Sequence, residues 1–204
     1  MDTTTLLDGY DLSNITVGVL GGHSALDVCS GAKKHGLHTV CVAREGREKT
    51  YSQYYKSRDG KGCIDEVIVK PKFSDVLEEE VQQKLRSMNT IFVHNRYFWV
   101  YFDDFSKVEN DFNVPIFGSR ALIKIEERDQ QFNQYHLLDF AGIRTPRIFE
   151  TPEDMDGRLC IIKASEAARG YERAFFLATD KKSWEHEGSR LEKEGLVGSN
   201  WRDA

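Results

Sequence analysis

The sequence predicts an α/β protein built on a parallel sheet, followed by an α+β part. An apolar strand, a glycine turn and a helix follow one another near the start of the 204-residue chain. Short apolar runs then alternate with helical patterns, as in sheets covered on both faces. The pattern changes near residue 120, where we place a boundary between two domains, 1–120 and 121–204.

The first unit is a strand, a helix and a second strand. An apolar run at 17–20 predicts the first strand, which Gly21 and Gly22 end. The helix that follows is expected to end at Gly36, a residue suited to the left-handed conformation that closes many helices. Residues 39–42 are extended again and predict the second strand.

The turn between this first strand and its helix is a candidate ligand site. Such turns place backbone N–H groups and a helix N-terminus at the carboxyl edge of a parallel sheet, where a phosphate is held without a dedicated cation. Gly22, His23 and Ser24 are therefore candidate contacts for a nucleotide-like ligand. The alternative is that the glycines only turn the chain and that His23 caps its own helix. Neither GxGxxG nor a P-loop lysine is present.

The rest of the first domain continues the alternation. Its further predicted elements are a leading helix at 2–14, a polar loop over the sheet edge at 44–55, strands at 66–69, 90–93 and 115–118, and a helix at 76–87. Because parallel strands end at a common edge, the segments after the first, second and fourth strands are expected to converge. These segments are 21–24, 44–47 and 94–97.

The second domain is predicted to open with a helix at 121–141 and to contain an apolar strand at 159–163. Lys163 ends that strand, and an ammonium group is costly to bury unless it meets an anion. Lys163 is therefore a candidate phosphate contact, with the loop at 164–176 folding over a triphosphate. The alternative is that Lys163 reaches solvent at the end of an ordinary hairpin.

Composition excludes several classes. The net charge of −5 and the pI near 5.7 argue against a nucleic-acid-binding protein. No apolar run approaches the roughly 18 residues of a membrane span, and the N-terminus carries acids where a signal peptide carries bases, so we expect a cytoplasmic protein with no membrane partner. The four cysteines are widely spaced without a CxxC pair, which indicates neither a zinc site nor a disulfide framework.

Five blocks of sequence together resemble one known family. The blocks are GGHSALDVCSGAKKHG, REGRE, VPIFGSR, LLDFAGIRTPRIFETPEDMDG and LCIIK, and the resemblance runs from about residue 15 to about residue 196. The chain is identified as a member of the formate-dependent 5-formaminoimidazole-4-carboxamide ribonucleotide synthetase family of archaeal purine biosynthesis, which are ATP-grasp ligases. This resemblance implies a Rossmann-like pre-ATP-grasp domain at 1–120 and the first α+β subdomain of an incomplete ATP-grasp domain at 121–204.

The resemblance also implies an activity. Members of the family use ATP to activate formate, as formyl phosphate, and transfer the formyl group to aminoimidazole carboxamide ribonucleotide, with Mg²⁺ bridging the ATP phosphates. His23 matches the family histidine that contacts the ribonucleotide, and Ser24 with the glycine turn would supply donors to its phosphate. Lys163 matches the strand lysine that reaches ATP. The matching residues of the phosphate-covering loop include Glu166, Arg169 and Gly170.

Two departures from the family pattern bear on the substrate. Many members carry His-Gly-Ser after the fourth strand, where this chain has Asn95-Arg96-Tyr97. Arg96 is suited to bidentate phosphate binding, and Tyr97 changes the pocket size, so both are expected substrate contacts. The covering loop SEAARGYER is also poorer in glycine than the usual version.

Three functional alternatives follow from these residues. They are a divergent ATP-grasp ligase with another substrate, a non-catalytic ribonucleotide-binding module, and a Rossmann-type oxidoreductase, which the missing GxGxxG disfavours. The metal carboxylates are expected beyond Ala204, so we expect either a fragment of a longer protein or a naturally truncated one. Small molecules, namely the ribonucleotide, ATP and formate, are the expected partners, and a homo-oligomer is left open.

Overall fold

The computed structural model describes residues 5–95, 98, 101–102, 104–120, 123, 125, 132–163 and 175–203. It divides into two compact units, Met1–Ile143 and Arg144–Ala204. The boundary that the sequence predicts after residue 120 stays a prediction, because most of residues 121–131 lie outside the described ranges. Among the described helices, none has both the length and the apolar character needed to cross a bilayer.

The first unit contains a four-stranded sheet with helices. Strands β1 to β4 are Thr16–Leu20, His38–Arg44, Glu66–Lys70 and Thr90–Phe92. Helices α1 to α4 are Ala25–Lys34, Glu79–Ser87, Phe105–Asn110 and Gln134–Phe140. A π-helical turn at Thr50–Tyr54 lies between β2 and β3, and a 3-10 helix at Phe73–Leu77 lies between β3 and α2.

All pairings in this sheet are parallel, and the strand order is β3-β2-β1-β4. Thr16 of β1 pairs with His38 on one side and with Thr90 on the other. The chain therefore runs outward from β1 to β3 and then returns to the opposite side of β1 for β4. The predicted α/β fold with a parallel sheet is confirmed.

Helix α1 forms as the sequence predicts. Its buried residues Ala25, Cys29 and Ala32 recur at helical spacing and face the sheet. At its end Gly36 adopts the left-handed conformation, with a φ of 74°. The N–H groups of Gly36 and Leu37 bond back to carbonyls of the last turn at 3.0 and 3.1 Å, which is the Schellman arrangement.

The sheet packs a core on each face. Val19 and Cys41 lie in the cluster with α1, whereas Leu20 and Val42 lie in a cluster rich in aromatic residues. Period-two alternation along β1 and β2 explains this division. The second cluster includes Phe92, Phe98, Phe102 and Phe112, whose rings lie 5.4 to 5.7 Å apart. These aromatic rings therefore belong to the core of the first unit.

The predicted leading helix is wrong where the structure describes it. Residues 5–9 and 12–13 form turns. Gly9 has a φ of 81°, and the Asp11 carboxylate accepts a hydrogen bond from the Ser13 N–H at 3.0 Å. Both features are turn chemistry that interrupts a helix.

Two further elements differ from the prediction. The helix predicted at 76–87 is interrupted at Glu78, whose ψ of 136° is extended, so that a 3-10 helix and α2 replace one continuous helix. The fifth strand reduces to a single parallel bridge between Ile116 and Phe92. Pro115 lacks an N–H for a ladder, and Gly118 turns the chain with a φ of 89°.

The second unit is an antiparallel hairpin covered on one face. Strands β5 and β6 are Cys160–Lys163 and Phe175–Ala178, and helix α5 is Lys181–Lys193. Trp201, from a 3-10 helix at Ser199–Asp203, is 2% exposed and lies in a core cluster with Ile162 and Phe176. The predicted strand at 159–163 is confirmed as β5, whereas β6 and α5 were not predicted.

Candidate functional site

The strand order places a crevice between β1 and β4. The chain leaves β1 toward β2 on one side and reaches β4 on the other, so the segments after β1 and β4 diverge at their carboxyl ends. Ligands of open α/β sheets bind at such a switch point. The candidate residues 21–24 follow β1, and His94 and Asn95, the described part of the predicted segment 94–97, follow β4. The geometry therefore puts residues 21–24 and 94–95 at one edge of the sheet.

Gly21 is required where β1 ends. A Cβ built on Gly21 would lie 2.8 Å from Tyr51 Cε2, 3.0 Å from Cys41 Sγ and 3.2 Å from the Ala43 Cα. The Gly21 N–H also donates to the Val42 carbonyl at 2.8 Å, which keeps this turn tight against β2. The prediction of a polar loop is wrong at Tyr51, because its ring is buried in the space that Gly21 leaves. Its large aromatic side chain was the feature of the sequence that could have indicated burial.

The residues that begin α1 have an unusual conformation. Ser24 occupies the N-cap position but is left-handed, with φ 66° and ψ 3°, and its side chain makes no capping hydrogen bond. Its Oγ instead lies 2.8 Å from the Nδ1 of His23. Both side chains are exposed, and Gly22 is half-buried. The structure thus brings together the three turn residues that the sequence singled out.

This turn presents free donors. In the described part of the chain, the backbone N–H groups of residues 23, 24, 26 and 27 have no hydrogen-bond partner. Unsatisfied N–H groups and the positive end of the helix dipole favour an anion. The Asp27 carboxylate in the first turn of α1 already supplies part of the negative charge that this helix end favours. The arrangement can hold a phosphate by backbone donors with the His23 imidazole beside them.

Asn95 joins the two sides of the crevice. The ladder between β1 and β4 ends with the Val93 N–H donating to Gly18 at 2.8 Å. Beyond it the buried Asn95 side chain donates from Nδ2 to the Leu20 carbonyl at 2.9 Å. A side chain therefore replaces the main-chain pairing where the strands separate. In the sequence Asn95 stands out only as a departure from a family pattern, because no local signal indicates that it reaches β1.

Arg96 and Tyr97, the other predicted substrate contacts, lie outside the described residues, and their roles stay predictions. The same holds for Glu166, Arg169 and Gly170 of the predicted covering loop.

The segment after β2 lies at the same edge. Its Glu45 N–H donates to Lys70 at the end of β3, at 2.9 Å. The Glu48 carbonyl accepts from the N–H of Tyr51 at 2.9 Å and of Ser52 at 2.8 Å, and the Thr50 carbonyl accepts from the Tyr55 N–H at 3.0 Å, which is the five-residue spacing of a π-helical turn. The π-helical turn packs Tyr51 against Gly21. It therefore connects the segment after β2 with residues 21–24, which we call the β1 turn.

Lys163 lies at the end of β5, in the second unit. It is exposed and pairs across the hairpin with Phe175. The same face carries large apolar side chains that are 49 to 69% exposed: Leu159, Ile161, Phe175 and Leu177. An ammonium group at the end of an apolar face suits a ligand that has both an apolar and an anionic part.

The cysteine thiols and the metal-ligating side chains were compared with the requirements of nucleophilic and metal sites within the described ranges. All four cysteines are free thiols, and burial raises the pKa of Cys29 to about 12 and also raises that of Cys41, so both are poor nucleophiles. Among the residues that the structure covers, no group of three His, Cys, Asp or Glu side chains is placed to hold a metal ion.

A cavity of about 330 Å³ lies beside the 3-10 helix after β3, and the described residues that line it do not include the turn at 21–24. Its acids already have structural partners: Asp75 accepts from the Lys72 N–H, Glu78 pairs with Lys70, and Asp104 caps α3. We therefore place the candidate site at the β1 and β4 crevice.

Comparison with known proteins gives the family. A family described as "Protein of unknown function (DUF1246)" matches residues 17–149. The chain is 37% identical over 192 residues to the 5-formaminoimidazole-4-carboxamide-1-(beta)-D-ribofuranosyl 5'-monophosphate synthetase of Methanopyrus kandleri, covering 94% of this chain and 50% of that protein. It is 36% identical over 201 residues to the synthetase of the same name from Methanothermobacter thermautotrophicus, covering 98% of this chain and 52% of that protein.

A solved structure shares the fold. The crystal structure of an IMP biosynthesis protein PurP from Thermococcus kodakaraensis superposes with a TM-score of 0.51 at 21% identity, covering 79% of this chain and 48% of that one. The chain spans about half the length of the curated relatives that it matches. The resemblance that the sequence motifs indicate is confirmed, and the chain belongs to the DUF1246 family, with the archaeal synthetases among its relatives.

Proposed function

We propose that this chain is the N-terminal portion of an ATP- and formate-dependent ligase that formylates aminoimidazole carboxamide ribonucleotide in IMP biosynthesis. The observation that carries the proposal is the β1 turn at the switch point, where the His23 imidazole lies beside free backbone donors. The names of relatives at 32 to 37% identity support this assignment. We place the protein in the cytoplasm, as expected for such a pathway.

In this proposal the first unit holds the ribonucleotide. The free backbone N–H groups of His23 and Ser24 take the phosphate beside Gly22, whose own N–H donates to the Leu20 carbonyl, and His23 adds a side-chain donor. Arg96 and Tyr97 complete the pocket from the segment after β4. The phosphate is fixed at the helix N-terminus, so the reacting amine is positioned at a constant distance from it.

The second unit contributes to ATP binding. Lys163 takes a phosphate of ATP while the apolar face of the hairpin accepts the base, and Glu166, Arg169 and Gly170 cover the phosphates. Phosphoryl transfer to a small carboxylate depends mainly on positioning and charge neutralisation, which a lysine and a covering loop provide. Bound Mg²⁺ would neutralise the phosphates, with ligands from the half of the relatives that this chain does not span.

The test is calorimetric titration of the chain with aminoimidazole carboxamide ribonucleotide. We expect binding, and His23→Ala should weaken it about tenfold or more, the usual effect of losing a hydrogen bond to a charged group. The matched control is His35→Ala, at the other end of α1. Absence of wild-type binding, or equal affinities for the two variants, would contradict the ribonucleotide assignment.

ATP use is tested in a protein of family length. Lys163→Ala should weaken Mg-ATP binding, whereas Lys182→Ala on the exposed surface of α5 should not. Equal losses in both variants would show that Lys163 has no special role.

A second candidate is a non-catalytic ribonucleotide-binding module. The observation that favours it is that the β1 turn and Asn95 both belong to the first unit. Ribonucleotide binding without ATP turnover in the family-length protein would support this candidate over the ligase. Binding of a different ribonucleotide would instead support a divergent ligase whose substrate is altered by Arg96 and Tyr97.

A further inference from the structure

The serine that begins α1 does not behave as helix-capping serines do. An N-cap serine normally has extended backbone angles and accepts a hydrogen bond from an N–H of the first turn. Ser24 is left-handed at φ 66°, and its side chain makes no such bond. The conformation is sterically unfavourable for a residue with a Cβ, and the helix loses its cap. Ser24 therefore has a strained backbone and also lacks the usual capping hydrogen bond. Departures of this kind are concentrated at functional sites.

The hydroxyl of Ser24 goes to His23 instead. Its Oγ lies 2.8 Å from Nδ1, and no other hydrogen bond of this hydroxyl is formed within the described residues. The identity of the proton-bearing nitrogen in a neutral imidazole is set by the hydrogen bond that the other nitrogen makes. A hydroxyl both donates and accepts, so the contact links the direction of the Ser24 O–H to the nitrogen of His23 that carries the proton.

We propose that Ser24 is a positioning residue whose O–H donates to Nδ1 and holds neutral His23 in the Nε2–H tautomer. This rests on the proposed function in so far as His23 contacts the ribonucleotide. In this tautomer Nε2 is a hydrogen-bond donor, as an acceptor group such as a phosphate oxygen requires. With the proton on Nδ1, Nε2 would offer a lone pair to the same oxygen and repel it.

The proposal is tested by ¹⁵N NMR of the histidine-labelled chain without ligand. At pH 9, where imidazoles are neutral, the chemical shifts of the two ring nitrogens report the tautomer directly. The His23 signal is identified by its disappearance in His23→Ala. We expect the Nε2–H form to dominate in the wild type. Dominance of the Nδ1–H form would overturn the proposal.

Two variants of Ser24 separate the effect of its hydroxyl from the effect of its left-handed backbone. Ser24→Ala should lower the ratio of Nε2–H to Nδ1–H forms about fivefold, the factor that an ordinary net hydrogen bond gives. Ser24→Gly should lower it equally while relieving the left-handed strain, since glycine adopts φ > 0 readily. Ser30→Ala, on the exposed side of the same helix, is the matched control and should leave the ratio unchanged. An unchanged ratio in both Ser24 variants would overturn the proposal.

The tautomer is measured without ligand, so this result is independent of the binding experiment. Failure of the wild-type chain to bind the ribonucleotide would contradict the proposed function without altering the tautomer ratio. An Nδ1–H tautomer would refute the role of Ser24 even in a chain that binds the ribonucleotide.

Discussion

The tight packing around Gly21, where the candidate site begins, predicts that Gly21→Ala lowers the stability of the protein. The new Cβ would lie 2.8 Å from the Tyr51 ring, 3.0 Å from Cys41 Sγ and 3.2 Å from the Ala43 Cα. Carbon atoms pack best at about 3.5–4.0 Å, so all three neighbours are too close. Tyr51 has some freedom to shift, but Ala43 is main chain of a central strand. We expect a loss of stability of about 1–3 kcal/mol, the usual cost of overpacking a core.

Gly31 in α1 is the matched control. A Cβ on Gly31 meets nothing within 4 Å. Replacing a glycine inside a helix by alanine stabilises it by about 0.5–1 kcal/mol, because the unfolded chain loses conformational freedom. The same chemical change should therefore have opposite signs at two positions of one βαβ unit.

The assay is urea unfolding followed by far-UV circular dichroism, with amide exchange of β1 and β2 as a local measure. Gly21→Ala should lower the free energy of β1 opening, and Gly31→Ala should raise it. The double variant Gly21→Ala with Tyr51→Leu should recover part of the loss, because the nearest clash is with the Tyr51 ring. A Gly21→Ala variant as stable as the wild type would refute the steric argument.

Three further predictions concern the rest of the fold. Gly188→Ala should destabilise the second unit by about 1–3 kcal/mol, since its Cβ would lie 2.5 Å from the Trp201 ring; urea unfolding followed by tryptophan fluorescence checks this, and no change would contradict it. Burial by itself would raise the pKa of Asp65, but hydrogen bonds from Lys33, Thr39 and Ser57 outweigh burial and lower that pKa. The ionised Asp65 therefore stabilises the fold above about pH 4, and this stabilisation is lost as pH falls through the lowered pKa. Asp65→Asn should make the stability measured by thermal unfolding depend less on pH on the acid side. The same acid slope in Asp65→Asn and the wild type would contradict this role of Asp65. Asn95→Ala should cost about 1 kcal/mol through its lost bond to Leu20 and weaken ribonucleotide binding; an unchanged ribonucleotide affinity in calorimetry would contradict a role of Asn95 in shaping the crevice.

The first βαβ unit was predictable because its signals are local. The apolar run of β1, the glycines at its end and Gly36 after α1 each specify a backbone conformation without help from distant residues. For the same reason the candidate turn at Gly22, His23 and Ser24 was found from sequence.

The errors arose where distant contacts decide the structure. Tyr51 stands among polar residues, and only the space left by Gly21 explains its burial. Asn95 reaches the Leu20 carbonyl across the sheet, a contact that no spacing rule reveals. The interruption at Glu78 depends on caps and ion pairs that compete with a continuous amphipathic pattern.

Helix α5 is a different case, because a local signal was present. Asp180 accepts from the Ser183 N–H at 2.7 Å, and the Ser183 hydroxyl lies 3.1 Å from the Asp180 N–H, which forms a capping box. Trp184 and Leu191 follow at helical spacing and pack in the core of the second unit. The absence of glutamate or glutamine at the third position made the signal easy to miss.

The strand order has a consequence for how the chain folds. Strand β1 forms its pairing with β2 through a short crossover, but its other neighbour, β4, begins only at Thr90. Closing that long loop is an entropically costly, late event in a topology of this kind. During synthesis one edge of β1 therefore stays uncovered until β4 has left the ribosome. Since the crevice is bounded by the segments after these two strands, the ability to bind a ligand should appear together with this last pairing rather than with the first βαβ unit.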